Sequence, residues 1–137
     1  MLAQLKPSDY AAGTAYIARN EKHAALLDEL RVKIRDARKV ATTLGFGPRF
    51  LHSTGQLHKG GPDTCVMLQI VADEPDDIAI PGFKVGFRTL LAAQALGDWQ
   101  SLEKRNRRGM RVHLKGDVEP ALRALIDAVD DALSVRA

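Results

Sequence analysis

Thr64-Cys65-Val66-Met67-Leu68-Gln69-Ile70-Val71-Ala72 is the run that decides the fold. Only its first residue and Gln69 interrupt the apolar character. A strand with one wet face would alternate. A nearly continuous run fits a strand covered on both faces, as in a parallel sheet between helices. The acidic turn Asp73-Glu74-Pro75-Asp76-Asp77 ends it.

Upstream, Asp9 to Ala18 reads as a strand that stops at Arg19-Asn20. Asn20 is a good N-cap. Beyond it Leu26, Leu27, Leu30, Ile34, Ala37 and Ala41 recur at helical spacing, with charged residues on the opposite face. This predicts an amphipathic helix of about five turns. Glu29 and Lys33 stand four apart and are expected to pair along it. His23 in the first turn is expected at the solvated surface. Val40 to Phe46 reads as a short strand ending near Gly45. Pro48 suits the first turn of a further helix, with Phe50, Leu51, Thr54 and Leu57 on one face. Gly60-Gly61-Pro62 would terminate it.

Downstream, Ile78 to Gly82 is a short extended piece. Phe87 to Leu96 predicts a helix stopped by Gly97, and Asp98 is expected to cap a second one through Trp99, Leu102 and Arg107. Met110 to Leu114 alternates as a strand does. Asp117 would cap a last helix with Val118, Leu122, Leu125, Ile126, Val129 and Leu133 on its apolar face. Strands and helices alternate throughout. The expected class is α/β: a small, mainly parallel sheet of about four strands in βα units, flanked by helices in three layers. Right-handed crossovers are expected. At 137 residues, residues 1–137 should form a single domain.

Composition narrows the function classes. Apolar residues make up 45% and charged residues 27%, ordinary for a globular chain. A net charge of +3 is only mildly basic. The longest basic run, Lys104-Arg105-Asn106-Arg107-Arg108, has only Trp99 nearby as a stacking surface, so no nucleic-acid partner is expected. The lone Cys65 allows no internal disulfide, and its apolar setting marks a buried core residue. With no signal-peptide pattern and no apolar stretch of spanning length, a cytoplasmic protein without membrane contact is expected. His52 and His58 are six apart, so they do not meet on one helix face, and no zinc spacing occurs; no metal is expected. Ser53 lacks the Gly-x-Ser-x-Gly setting of a hydrolase nucleophile.

The richest chemistry lies in residues 45–62, Gly45-Phe46-Gly47-Pro48-Arg49-Phe50-Leu51-His52-Ser53-Thr54-Gly55-Gln56-Leu57-His58-Lys59-Gly60-Gly61-Pro62. A strand ending at Phe46 would deliver residues 47–55 to the carboxyl edge of the sheet, where ligands bind in such folds. A helix starting near Pro48 would point backbone amides outward. Arg49, Ser53, Thr54 and Gly55 then describe a phosphate or carboxylate site, with Lys59 adding charge. A plain turn-helix-turn connector accounts for the same glycines and prolines equally well.

The segment from Gly47 to Pro62 also resembles a signature near the C-terminal end of bacterial fused transaldolase/glucose-6-phosphate isomerase proteins. Leu68-Gln69-Ile70, Ala72-Asp73, Ile80-Pro81-Gly82, Ala93-Gln94-Ala95-Leu96-Gly97-Asp98, Arg111-Val112-His113-Leu114 and Asp9-Tyr10 are similar to its other segments, so the likeness extends over almost the whole chain. It implies the terminal part of a sugar-isomerase-type α/β region that works on glucose 6-phosphate and fructose 6-phosphate without a cofactor. The transaldolase barrel and its lysine are not in this sequence. Leu57-His58-Lys59 is similar to the setting of the isomerase lysine linked to ring opening, which makes Lys59 the catalytic candidate. His58 joins it as a further catalytic candidate, and His52 is a candidate for substrate contact. No glutamate here matches the family's catalytic base. The resemblance therefore implies a chain inactive alone, with partners in upstream isomerase or transaldolase domains, a separate subunit or a second copy. The alternative is a stand-alone phosphosugar-binding or domain-interaction module.

Overall fold

The computed structural model describes residues 1–73 and 75–134. After a 3-10 turn at Leu2–Gln4, the chain forms β1 (Tyr10–Tyr16), α1 (Glu21–Arg38), β2 (Ala41–Phe46) and α2 (Thr54–Gly60). It continues through β3 (Cys65–Ala72), α3 (Phe87–Lys104), β4 (Arg108–Leu114) and α4 (Val118–Ser134). The four strands make one parallel sheet in the order β2-β1-β3-β4. The α/β class with about four parallel strands in three layers is what the apolar run at 64–72 predicts.

Strand periodicity assigns the layers. Ala11, Ala15 and Ile17, with Leu68 and Ile70, pack against Leu27, Leu30 and Ile34 of α1 and Leu122, Ile126 and Val129 of α4. The alternate residues face the other way. Ala12, Cys65 and Met67 meet Leu102 of α3, while Tyr16 and Val71 meet Phe50 and Ala95. Every residue of β3 from Cys65 to Val71 is buried, the burial its apolar run requires. The chain moves from β1 outward to β2, then reverses past β1 to β3 and β4. The change of helix layer at that reversal keeps every crossover of one hand.

Asn20 caps α1 as its side chain predicts, its Oδ1 accepting from the His23 amide at 2.8 Å. Four local expectations are corrected. His23 is buried: its Nδ1 donates to the Ala18 carbonyl at 2.7 Å, tying down the β1–α1 turn. Glu29 and Lys33 do not pair with each other. Each reaches across to α4, Glu29 to Arg123 and Lys33 to Asp130, both at 2.7 Å. The last two corrections concern the helices of the second layer.

No helix begins at Pro48. Residues 47–53 form turns, and α2 begins at Thr54. Phe50 is drawn inward onto the edge of the Tyr16 ring, with centroids 5.7 Å apart, which an outward-facing first helical turn would not permit. Leu57 is consequently exposed, away from the Phe50 side. Gly60-Gly61 does end α2, with the Gly61 amide bonding the Leu57 carbonyl at 2.8 Å.

Gly97 does not stop a helix, and Asp98 caps none. α3 runs unbroken from Phe87 to Lys104. Gly97 has open space around it and costs the helix only about 1 kcal/mol. Asp98, buried at mid-helix, bonds inward to other elements.

Candidate functional site

Between the sheet and the α2–α3 layer runs a polar seam. Its centre is Asp98, whose side chain is 3% exposed. Oδ1 accepts from Lys59 Nζ at 2.7 Å, and Oδ2 accepts from the Tyr16 hydroxyl at 3.3 Å. Lys59 is near the end of α2, Asp98 in the middle of α3 and Tyr16 at the end of β1, so three elements meet in one network. Burial, then the neighbouring Asp98 carboxylate, pushes the Tyr16 phenol well above its ordinary range, so Tyr16 stays a donor.

Lys59 is held at both ends. Arg107 donates from Nε at 3.2 Å and from Nη2 at 3.0 Å to the Lys59 carbonyl, a cation placed on the C-terminal end of α2. The ammonium has three protons, and one is committed to Asp98. With 14% of its surface exposed, the Lys59 side chain is mostly buried.

Beside it His58 is buried. Its Nδ1 lies 2.8 Å from the Tyr10 hydroxyl and 3.7 Å from Cys65 Sγ. Burial lowers the His58 pKa and raises that of Tyr10; it pushes the Cys65 thiol up to about 11. All three are neutral near pH 7, so Cys65 is the inert core residue its apolar setting predicts. A pH response follows. Unfolded His58 binds a proton near its ordinary pKa of about 6.5, above the folded value. Its contribution to stability is complete above that pH and falls as pH drops toward the folded pKa. Urea midpoints measured between pH 7.5 and 5 should therefore decline, and His58→Gln should flatten the decline. An equal slope in the variant would assign the effect elsewhere.

The other sequence candidates gather at the opposite end of α2. Arg49, Ser53 and Thr54 line an open hollow of about 490 Å³ with Arg19, Phe46 and Phe50. Arg19 sits over the Phe46 ring at 5.9 Å. Outward backbone donors are scarce there, because the Ser53 and Gly55 amides both bond the Phe50 carbonyl at 2.9 Å. Ser53 Oγ donates to that carbonyl too, at 3.2 Å. Gly55 is buried, and a Cβ there would sit 2.8 Å from the Phe50 carbonyl oxygen, so close packing accounts for this glycine. His52 is exposed and outside the hollow. The structure thus separates the candidates into Lys59 with His58, and Arg49 with Ser53 and Thr54.

Sequence spacing missed Asp98 and Tyr16, which lie 39 and 43 residues from Lys59, and no local pattern joins them. Half of the basic run at 104–108 is internal: Arg107 holds α2, and Arg108 grips Asp9 through two bonds of 2.6 and 3.0 Å. Among the described residues no group of three or more His, Cys, Asp or Glu side chains is arranged to hold a metal ion, and no helix is long and apolar enough to cross a membrane.

No family model matches the sequence, and no curated protein matches it significantly. The fold is similar to the crystal structure of a hypothetical protein, TT0462, from Thermus thermophilus, with a TM-score of 0.71 and 17% identity. The match covers 87% of this chain and 33% of that one, so this chain spans about a third of that protein's length. At such identity the likeness is one of fold.

Proposed function

We propose that this domain supplies one wall of a sugar-phosphate isomerase site, with Lys59 as the group that meets the substrate. The observation that carries this reading is the Lys59 ammonium, fixed at 2.7 Å by buried Asp98, on a side chain that keeps 14% of its surface exposed. A cation so positioned can donate to a ring or carbonyl oxygen without first losing rotamer freedom. His58 is the neighbouring neutral acid–base group, and its burial gives it the role of orienting Tyr10 and the end of α2 unless that end opens. The resemblance of residues 47–62 to fused transaldolase/glucose-6-phosphate isomerases names glucose 6-phosphate and fructose 6-phosphate as the substrates.

Isomerisation also needs a carboxylate base, and the carboxylates near Lys59 do not supply one. Asp98 is already bonded to Lys59 and Tyr16. Asp63, just beyond the end of α2, pairs with Arg107 at 3.5 Å. The base then comes from another domain or subunit. Phe83, Val85, Phe87 and Leu90, in and before the first turn of α3, are exposed apolar side chains that such a partner could cover. The purified chain alone is expected to leave fructose 6-phosphate unconverted in a coupled glucose 6-phosphate assay. Turnover that survives further purification and disappears in Lys59→Ala would overturn the requirement for an outside base.

Capture of a phosphosugar without catalysis is the second reading. Arg19 and Arg49 beside the hydroxyls of Ser53 and Thr54 favour it, because that hollow offers cations and hydroxyls but no acid–base pair.

A further inference from the structure

We propose that the crevice at the carboxyl ends of β1 and β3 binds a small ligand that joins a phosphate or carboxylate to a flat apolar group. This site shares Tyr16 with the Lys59 network but does not rest on the isomerase reading. The strand order reverses here. β2 lies on one side of β1, while β3 and β4 lie on the other; beside this reversal a gap opens between α3 and the ends of β3 and β4, with Tyr16 of β1 at its floor. The gap holds about 360 Å³, room for a small molecule.

Its two halves differ in chemistry. The floor is apolar, made by Tyr16, Val71, Leu91 and Ala95. The rim carries Arg88 and Thr89 from the first turn of α3, and Arg111 and His113 from β4, with Asp73 at the end of β3. Arg111 and His113 are two apart on a strand and project from the same face. β4 is the sheet edge, and both residues are exposed there.

Asp73 and Asp77 are each engaged. Asp73 Oδ1 lies 2.9 Å from His113 Nε2, and Asp77 accepts the Arg88 amide at 2.8 Å. Among the described residues, no hydrogen bond or ion pair engages the Arg111 guanidinium. Its planar fork matches the paired oxygens of a phosphate or carboxylate. An anionic head on Arg111 would lay an attached ring on the Tyr16–Leu91 floor. A bare sugar would leave that floor uncovered.

The test is an amide-resolved NMR titration of the whole chain with phenyl phosphate, and separately with inorganic phosphate. The expected result is movement of the Asp73, Arg88, Thr89, Arg111 and His113 amides, with phenyl phosphate binding more tightly. Arg111→Ala, an exposed substitution, should keep the spectrum elsewhere and weaken binding by about tenfold or more. The proposal is overturned by no movement at millimolar ligand, by movement confined to Arg19, Arg49 and Ser53, by equal affinity for the two probes, or by binding that Arg111→Ala leaves intact.

Discussion

Asp98→Ala is expected to lower unfolding stability by about 3 kcal/mol, because it breaks a buried ion pair by removing one partner. The carboxylate is 3% exposed and accepts from both Lys59 and Tyr16. Without it a mostly buried ammonium and a fully buried phenol lose their acceptor together. Lys59 can recover some hydration by swinging its flexible stem outward, which keeps the loss near the lower end of the range for such pairs. Asp98→Asn retains an acceptor for Tyr16 and should fall between wild type and alanine. Urea unfolding with an unchanged m-value measures this directly. A loss under about 1 kcal/mol would reduce the Lys59–Asp98 contact to an ordinary surface pair.

Gly47→Ala should cost about 2 kcal/mol or more, by overpacking. A Cβ at Gly47 would clash with Tyr16 Cε1 and lie 2.6 Å from Cζ and 2.7 Å from Cδ1. Shifting the ring would break its contacts. It is 1% exposed, its neighbour Phe50 stands edge-on to it, and its hydroxyl is tied to Asp98. The substitution should therefore also disturb the Lys59 environment, seen as shifts of the Lys59 and Asp98 amides. A variant as stable as wild type, with those amides unmoved, would show that Tyr16 is free to shift.

These two variants mark where the sequence was informative and where it was not. β3 was readable because a strand buried on both faces has no need to alternate. α1 was readable because Asn20 and a regular apolar stripe agree. α3 was not, for a physical reason: its burial is mixed. Leu90, Leu96 and Phe87 are exposed while Asp98 is buried, so a polar residue beside a glycine looked like a helix boundary. The turn at 47–53 was misread because Pro48 suits a helix start, whereas the burial of Phe50 against Tyr16 decides the path. The candidate site divided along the same line. Resemblance singled out Lys59, but the partners that fix it arrive from distant elements. The crevice at the strand-order reversal depends on a topology that no local spacing encodes.

The central claim is that Lys59 meets a sugar phosphate. Its most direct measurement is a titration of the isotope-labelled chain with fructose 6-phosphate, followed at the amides of His58, Lys59, Gly60 and Asp98. These amides are expected to move together in the millimolar range, and Lys59→Ala is expected to abolish the response. Stationary amides at saturating millimolar ligand, or movement that persists in Lys59→Ala, would contradict it.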